Sequence, residues 1–131
     1  MCSQGVGGIL QAMRATGASR FVCVSAAPVA TDGKGDRLFY RVAIRPQLWT
    51  IFKGAYEDMT LMEEEVCRSD VDWTIFRPPQ LTDKPRTGRY RTTVGGNVPG
   101  GYRISRADLA DAILRHLDDP RAIRTAVGVG Y

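Results

Sequence analysis

Three observations predict an α/β fold in which a parallel sheet carries helices on its faces. Phe21–Ser25 and Trp73–Arg77 are short, nearly continuous apolar runs, the pattern of strands buried on both sides, and Thr125–Val129 is a third β-prone run. Between the runs lie longer stretches with apolar residues at intervals of three and four. The two kinds of segment alternate, which sets the three strands parallel and adjacent with helical crossovers between them. At 131 residues the chain suits one compact domain and is too short for two. With 44% hydrophobic and 24% charged residues it has the composition of an ordinary globular protein.

The elements follow in order. Gln4–Thr16 carries Val6, Ile9, Leu10 and Met13 at helical spacing, and Gly17 is placed to stop the helix. The strand Phe21–Ser25 ends at Ala26-Ala27-Pro28, and Thr31–Arg37 is a polar, turn-rich loop. Pro46–Ser69 is helical: Leu48, Ile51, Phe52, Ala55, Met59, Met62 and Val66 form one apolar stripe, and Gly54 can divide it into two helices. A second strand, Val71–Arg77, stops sharply at Pro78-Pro79. Two β-prone pieces, Tyr90–Val94 and Tyr102–Ile104, flank the loop Gly95–Gly101 and are expected to pair as a hairpin. Ser105-Arg106-Ala107-Asp108 reads as a capping box, in which the Ser105 hydroxyl accepts from the Asp108 N–H and the Asp108 carboxylate reaches back. The helix it opens buries Leu109, Ala112, Ile113 and Leu117, ends at Asp119-Pro120, and leads to the last strand, Thr125–Val129.

The net charge of +4 is spread without a Lys/Arg block, so no nucleic-acid partner is expected. No run approaches the roughly 18 apolar residues of a membrane span, and the amino terminus has no secretory pattern, so no membrane partner and a cytoplasmic location are expected. Cys2, Cys23 and Cys67 lack metal-ligand spacing, so no metal site is expected, and Cys23 and Cys67 are expected to be buried thiols. Asp58, Glu63, Glu64 and Glu65 are expected on a solvated helix face, and His116 near a helix C-terminus, where a cation suits the dipole.

In open parallel sheets, ligands bind beyond the carboxyl ends of the strands. Ser25-Ala26-Ala27 and Arg77-Pro78-Pro79-Gln80-Leu81 occupy those ends. A serine there suits a nicotinamide amide or a substrate carbonyl, although a hydroxyl that only satisfies its own turn is the simpler reading of the residues alone. The Pro-Pro segment either presents carbonyls to a carboxamide or is merely a rigid strand exit. Gly5-Val6-Gly7-Gly8 has neither a preceding strand nor the spacing of a phosphate-binding turn. Tyr56 lacks a lysine four positions on, where Thr60 stands; Lys53, three positions earlier, is in the reverse order. Tyr56 therefore reads as a helical aromatic rather than a general acid.

Three segments together resemble atypical short-chain dehydrogenase/reductase-like proteins. They are Gln11–Gly17 running into Arg20–Ser25, Ser69–Ile75 into Arg77-Pro78-Pro79, and Ile104–Ala110. The nearest group is that of NAD(P)H-binding proteins similar to biliverdin reductase B (flavin reductase) and the NmrA-like regulators. The resemblance covers nearly all of the chain but only the second half of that family's Rossmann-like domain. It implies that residues 1–131 are the C-terminal part of one NAD(P)-binding domain, truncated at the N-terminus, which agrees with a chain that opens on a helix. It further implies Ser25 as the active-site serine beside the nicotinamide, with Ala26 and Ala27, and Pro78, Pro79, Gln80 and Leu81 as the nicotinamide-side loop. Gln80 stands where relatives can carry His, so proton donation there is in question. The implied cofactor is NADP or NAD, held weakly or not at all by this chain, because the glycine-rich phosphate turn is missing.

The implied activity is reduction of a small flavin-, quinone- or carbonyl-type substrate. The alternatives are a non-catalytic dinucleotide-sensing or interaction module and an inactive fragment. With its neighbouring strand gone, Phe21–Ser25 would be an unprotected sheet edge, and Ile9, Leu10 and Met13 would be exposed beside it. Self-association through that strand is therefore expected.

Overall fold

The structure, a computed structural model, describes residues 1–30 and 35–131. It contains α1 (Cys2–Thr16), β1 (Arg20–Val24), α2 (Arg45–Ile51), α3 (Lys53–Arg68), β2 (Asp72–Arg77), β3 (Gln80–Thr82), β4 (Arg91–Val94), β5 (Arg103–Ser105), α4 (Arg106–His116) and β6 (Thr125–Gly130). A π-helical turn, Tyr40–Ile44, runs directly into α2. Of the loop expected over Thr31–Arg37, residues 31–34 lie outside the described residues.

The main sheet has the order β1-β2-β6-β4. β1 runs parallel to β2, with Arg20 opposite Asp72 and Val24 opposite Phe76, and β2 parallel to β6, with Thr74 opposite Thr125. The three expected strands are therefore parallel and adjacent, and the Rossmann-like α/β class holds. Consecutive residues of β2 face opposite layers. Ile75 packs with Val6, Leu10, Met13, Met62 and Val66 of α1 and α3, while Phe76 packs with Ile104, Leu109, Ala112, Val127 and Val129 on the α4 side. Each is at most 1% exposed, a burial that contributes about 2 kcal/mol per side chain.

Helix boundaries follow local chemistry. Gly17, at φ 75°, takes the left-handed position that ends α1. At the other end of α1, the Asp58 carboxylate of α3 accepts from the N–H groups of Cys2 (2.6 Å) and Ser3 (3.3 Å), from the Ser3 hydroxyl (2.5 Å) and from the Met1 amine (3.0 Å). These bonds, the Ser3 hydroxyl foremost, hold its carboxyl well below the ordinary range. Arg20 donates to the carbonyls of His116 and Leu117 at the C-terminal end of α4. His116 lies in that last turn, edge-on to Phe76.

Several expectations are corrected. Tyr90–Val94 and Tyr102–Ile104 do not form a hairpin: β4 pairs antiparallel with β6, and β5 pairs parallel with β3 in a separate two-stranded sheet. The glycine-rich loop between them separates the two strands instead of folding one on the other. Asp58 and Glu63 do not share the solvated face of Glu64 and Glu65: Asp58 caps α1, and Glu63, 7% exposed, pairs with Arg77 through two contacts of 3.0 and 2.5 Å. Cys67 is exposed, whereas Cys23 is half-buried and its thiol is pushed up to about 12, chiefly by burial.

Leu10 and Met13 are buried against α3, leaving Ile9 alone of the expected α1 patch at the surface. The stripe of Pro46–Ser69 breaks into α2 and α3 at Phe52, and its first half is not core, since Ile51 is 70% and Phe52 49% exposed. The Ser105 hydroxyl does accept from the Asp108 N–H (3.0 Å), but the Asp108 carboxylate turns elsewhere. It accepts from Thr87 N, Gly88 N, the Thr87 hydroxyl and the Tyr131 hydroxyl. Among the described residues no helix is long and apolar enough to cross a membrane.

Candidate functional site

The carboxyl ends of β1 and β2 stay in register past the strands. Ser25 N donates to Phe76 O (2.7 Å) and Ala27 N to Pro78 O (2.9 Å). The two exits thus leave the sheet side by side and form the floor of a cleft of about 930 Å³. Ala26, Ala27, Pro78, Pro79 and Gln80 all line it, so five of the seven expected cofactor contacts come together. Ser25 lies just beneath: it is 5% exposed, and its hydroxyl has no hydrogen-bond partner. Leu81 points away and packs against the α4-side core. Gln80 and Leu81 belong to β3 rather than to a loop, because Gln80 N donates to Tyr102 O and the pair Gln80–Arg103 opens a ladder with β5.

The remaining walls were not foreseen as a site. Tyr40, Ile44 and Leu48 line the cleft from the π turn and α2, followed by Phe52 at the break between α2 and α3 and by Tyr56 of α3. Leu48 and Phe52 belong to the front half of the apolar stripe, and the fold turns them to the cleft instead of the core. Tyr40 stacks on Tyr102 with centroids 5.7 Å apart, and burial pushes its phenol up to about 12. Tyr56 packs against Trp49 (5.4 Å) and Phe52 (5.9 Å), and burial raises its phenol too. The Lys53 ammonium faces Glu57 at 3.8 Å, so Tyr56 is a neutral aromatic wall.

Arg37 and Arg103 bring positive charge to the lining, and Asp36 is the single acidic side chain among its described residues. Asn97, 5% exposed, donates from Nδ2 to Ala27 O (3.2 Å) and Asp36 Oδ1 (2.8 Å). Behind the β2 exit, the Glu63–Arg77 pair fixes Arg77 immediately before Pro78-Pro79.

Residues 2–120 match the family model described as NAD(P)H-binding. The chain belongs to the NAD(P)H-binding family. This is an oxidoreductase-like family whose ligand is a nicotinamide dinucleotide. The chain is 27% identical over 128 residues to the UPF0659 protein C216.03 of Schizosaccharomyces pombe, covering 91% of this chain and 49% of the relative. A short-chain dehydrogenase/reductase of Veillonella parvula, solved in complex with NADP, matches with a TM-score of 0.78 at 21% identity, over 98% of this chain and 58% of that one. ChuY of Escherichia coli O157:H7, described as an anaerobillin reductase, matches with a TM-score of 0.69 at 19% identity, over 92% and 54%. The chain thus spans about half the length of the proteins it matches, and the two structures establish a shared fold.

Within the family frame, the glycines Gly5, Gly7 and Gly8 lie inside α1 and form no turn between a strand and a helix. In this member of the family the strand ends form the floor of the cleft and aromatic side chains form its walls.

Proposed function

We propose that this chain carries the nicotinamide-and-substrate side of an NAD(P)H-dependent reductase acting on a small planar substrate of flavin, quinone or carbonyl type. The observation that carries this reading is the cleft itself, which opens on the carboxyl ends of β1 and β2 and is walled by Tyr40, Tyr102, Phe52 and Tyr56. Aromatic walls suit a flat conjugated ring, and Arg37 and Arg103 suit an anionic substituent on it.

The fit to a nicotinamide rests on Ser25. A buried hydroxyl without a partner is an open hydrogen-bonding valence, placed one residue before the lining residue Ala26. When bound, reduced nicotinamide supplies a hydride; the chain's residues bind and orient. Pro78, Pro79 and Ala27 present a rigid, apolar floor that excludes water, and Ser25 steadies the amide or the substrate carbonyl. NADP or NAD alone is held weakly by this chain, since no helix N-terminus of the described residues offers the glycine-rich turn on which such folds seat a pyrophosphate.

Calorimetric titration with NADPH and NADH, paired with hydride transfer to flavin mononucleotide and menadione, tests the proposal. For this chain binding weaker than micromolar is expected; in a version extended to its relatives' full length, turnover should fall in Ser25→Ala more than in Tyr56→Phe. Collapse in Tyr56→Phe with Ser25→Ala unchanged would reverse the assignment. Dinucleotide sensing without turnover is the second reading, favoured by the depth at which Ser25 lies.

Self-association belongs to the same proposal. β1 is an edge of the main sheet, and Val24 on it is 42% exposed. Pairing of two copies along β1 would satisfy its free backbone groups. Sedimentation velocity should show a dimer or larger species that Val24→Lys weakens; a monomer at all concentrations refutes it.

A further inference from the structure

We propose that Asn97 is a positioning residue whose carboxamide clasps three separate walls and so sets the shape of the cleft, a role that rests on the reading of this cleft as the ligand site. Asn97 comes from the loop between β4 and β5. Its Nδ2 reaches the segment that leaves β1, at Ala27 O, and the segment that leads into the π turn, at Asp36 Oδ1. Both partners are acceptors, so the orientation of the amide is fixed.

The backbone around it is equally constrained. Gly35, at φ +88°, lies against Asn97 so closely that a Cβ there would run into the Asn97 main chain. On the other side, a Cβ on Gly128 of β6 would run into Gly96 and Asn97. Two glycines thus bracket one asparagine, and no side chain can enter between the sheet, the loop and the segment above it.

The clasp leaves two acceptors bare. Asn97 Oδ1 and Asp36 Oδ2 are both buried and without hydrogen-bond partners. Desolvated acceptors without partners oppose folding, so stability alone does not account for the cluster. What the arrangement does secure is the relation between the strand-end floor at Ala27, the Tyr40 wall that follows Asp36, and the loop bearing Val98 and Gly101.

The test uses the full chain with flavin mononucleotide as probe, followed by fluorescence quenching, and amide exchange over residues 26–30 and 35–41. Asp36→Asn keeps an acceptor for Asn97 and should retain wild-type exchange within about twofold. Asp36→Ala and Asn97→Asp remove the acceptor or the donors; each should weaken the probe about tenfold, the equivalent of one hydrogen bond, and speed exchange in 35–41 while the exchange of β2 is unchanged. In the double variant Asn97→Asp with Asp36→Asn, the donor and acceptor are reversed. Slow exchange should return in 35–41 but not in 26–30, since the carboxylate introduced in place of Asn97 has no proton for Ala27 O. Exchange that follows this pattern in a chain that fails to bind the probe upholds the clasp and removes the substrate reading instead. Unchanged exchange in Asn97→Asp, or equal losses in Asp36→Asn and Asp36→Ala, overturns the proposal.

Discussion

Asp108 and Asn97 are both buried polar side chains that tie a loop to the body of the fold, and they are built on opposite principles. Asp108, wholly inaccessible, accepts from two backbone N–H groups and two hydroxyls, and its own N–H is capped by Ser105. Both carboxylate oxygens are used. At the cleft, Asn97, Asp36 and Ser25 each keep a buried oxygen without a partner. A saturated network holds the α4 end of the molecule rigid, whereas this unsaturated cluster sits where the cleft opens. The contrast separates polar burial whose hydrogen bonds are all used from polar burial that leaves hydrogen-bonding capacity open at a cleft.

The largest effect should come from the saturated side. Asp108→Ala leaves four donors without their acceptor and should lower unfolding free energy by about 3 kcal/mol, read by chemical denaturation. Burial alone would raise the Asp108 carboxyl, but the bonds from Tyr131, Gly88 and Thr87 outweigh it and hold it well below the ordinary 3.8. A depressed folded pKa means that this stabilisation is complete above about pH 4 and is lost as pH falls further. Asp108→Asn should therefore flatten the acid limb of the stability profile, and an unchanged limb would show the carboxylate to be incidental.

Asn97→Ala should cost less, about 1 kcal/mol, because the two lost donations are offset by removing a bare acceptor. A loss as large as that of Asp108→Ala would erase the distinction. Smallest of all, Ser25→Ala should change stability by about 0.5 kcal/mol or less, or raise it, since the hydroxyl it removes has no partner. A clear destabilisation would place Ser25 with the structural hydroxyls.

The strands and the location of the cleft were legible because both depend on local pattern: apolar runs mark β1 and β2, and ligands gather beyond their carboxyl ends. The charged ties were not, since their partners lie far along the chain. Glu63 reads as solvated until Arg77, on a strand fourteen residues on, is brought beneath it. A signal was present, however, for Glu63 falls four residues after Met59 and three before Val66, within the apolar stripe. Asn97 gave no such sign. Its role is created by Gly35 and Gly128, from two other parts of the sequence, and only the fold brings them together.

The register of the sheets bears finally on how the chain reaches this state. Arg20 lies opposite Asp72 and Thr74 opposite Thr125, and even the two-stranded sheet joins Gln80 to Arg103. No pair of described strands is closed by a tight turn, so each ladder must wait for a long loop to close before its first bond offsets the lost entropy. Such non-local pairing slows folding relative to a helical bundle of the same length. During that interval β2, flanked on both sides in the finished sheet, is an uncovered apolar strand, and the speed with which α3 and α4 deliver β1 and β6 to it governs the yield of folded protein.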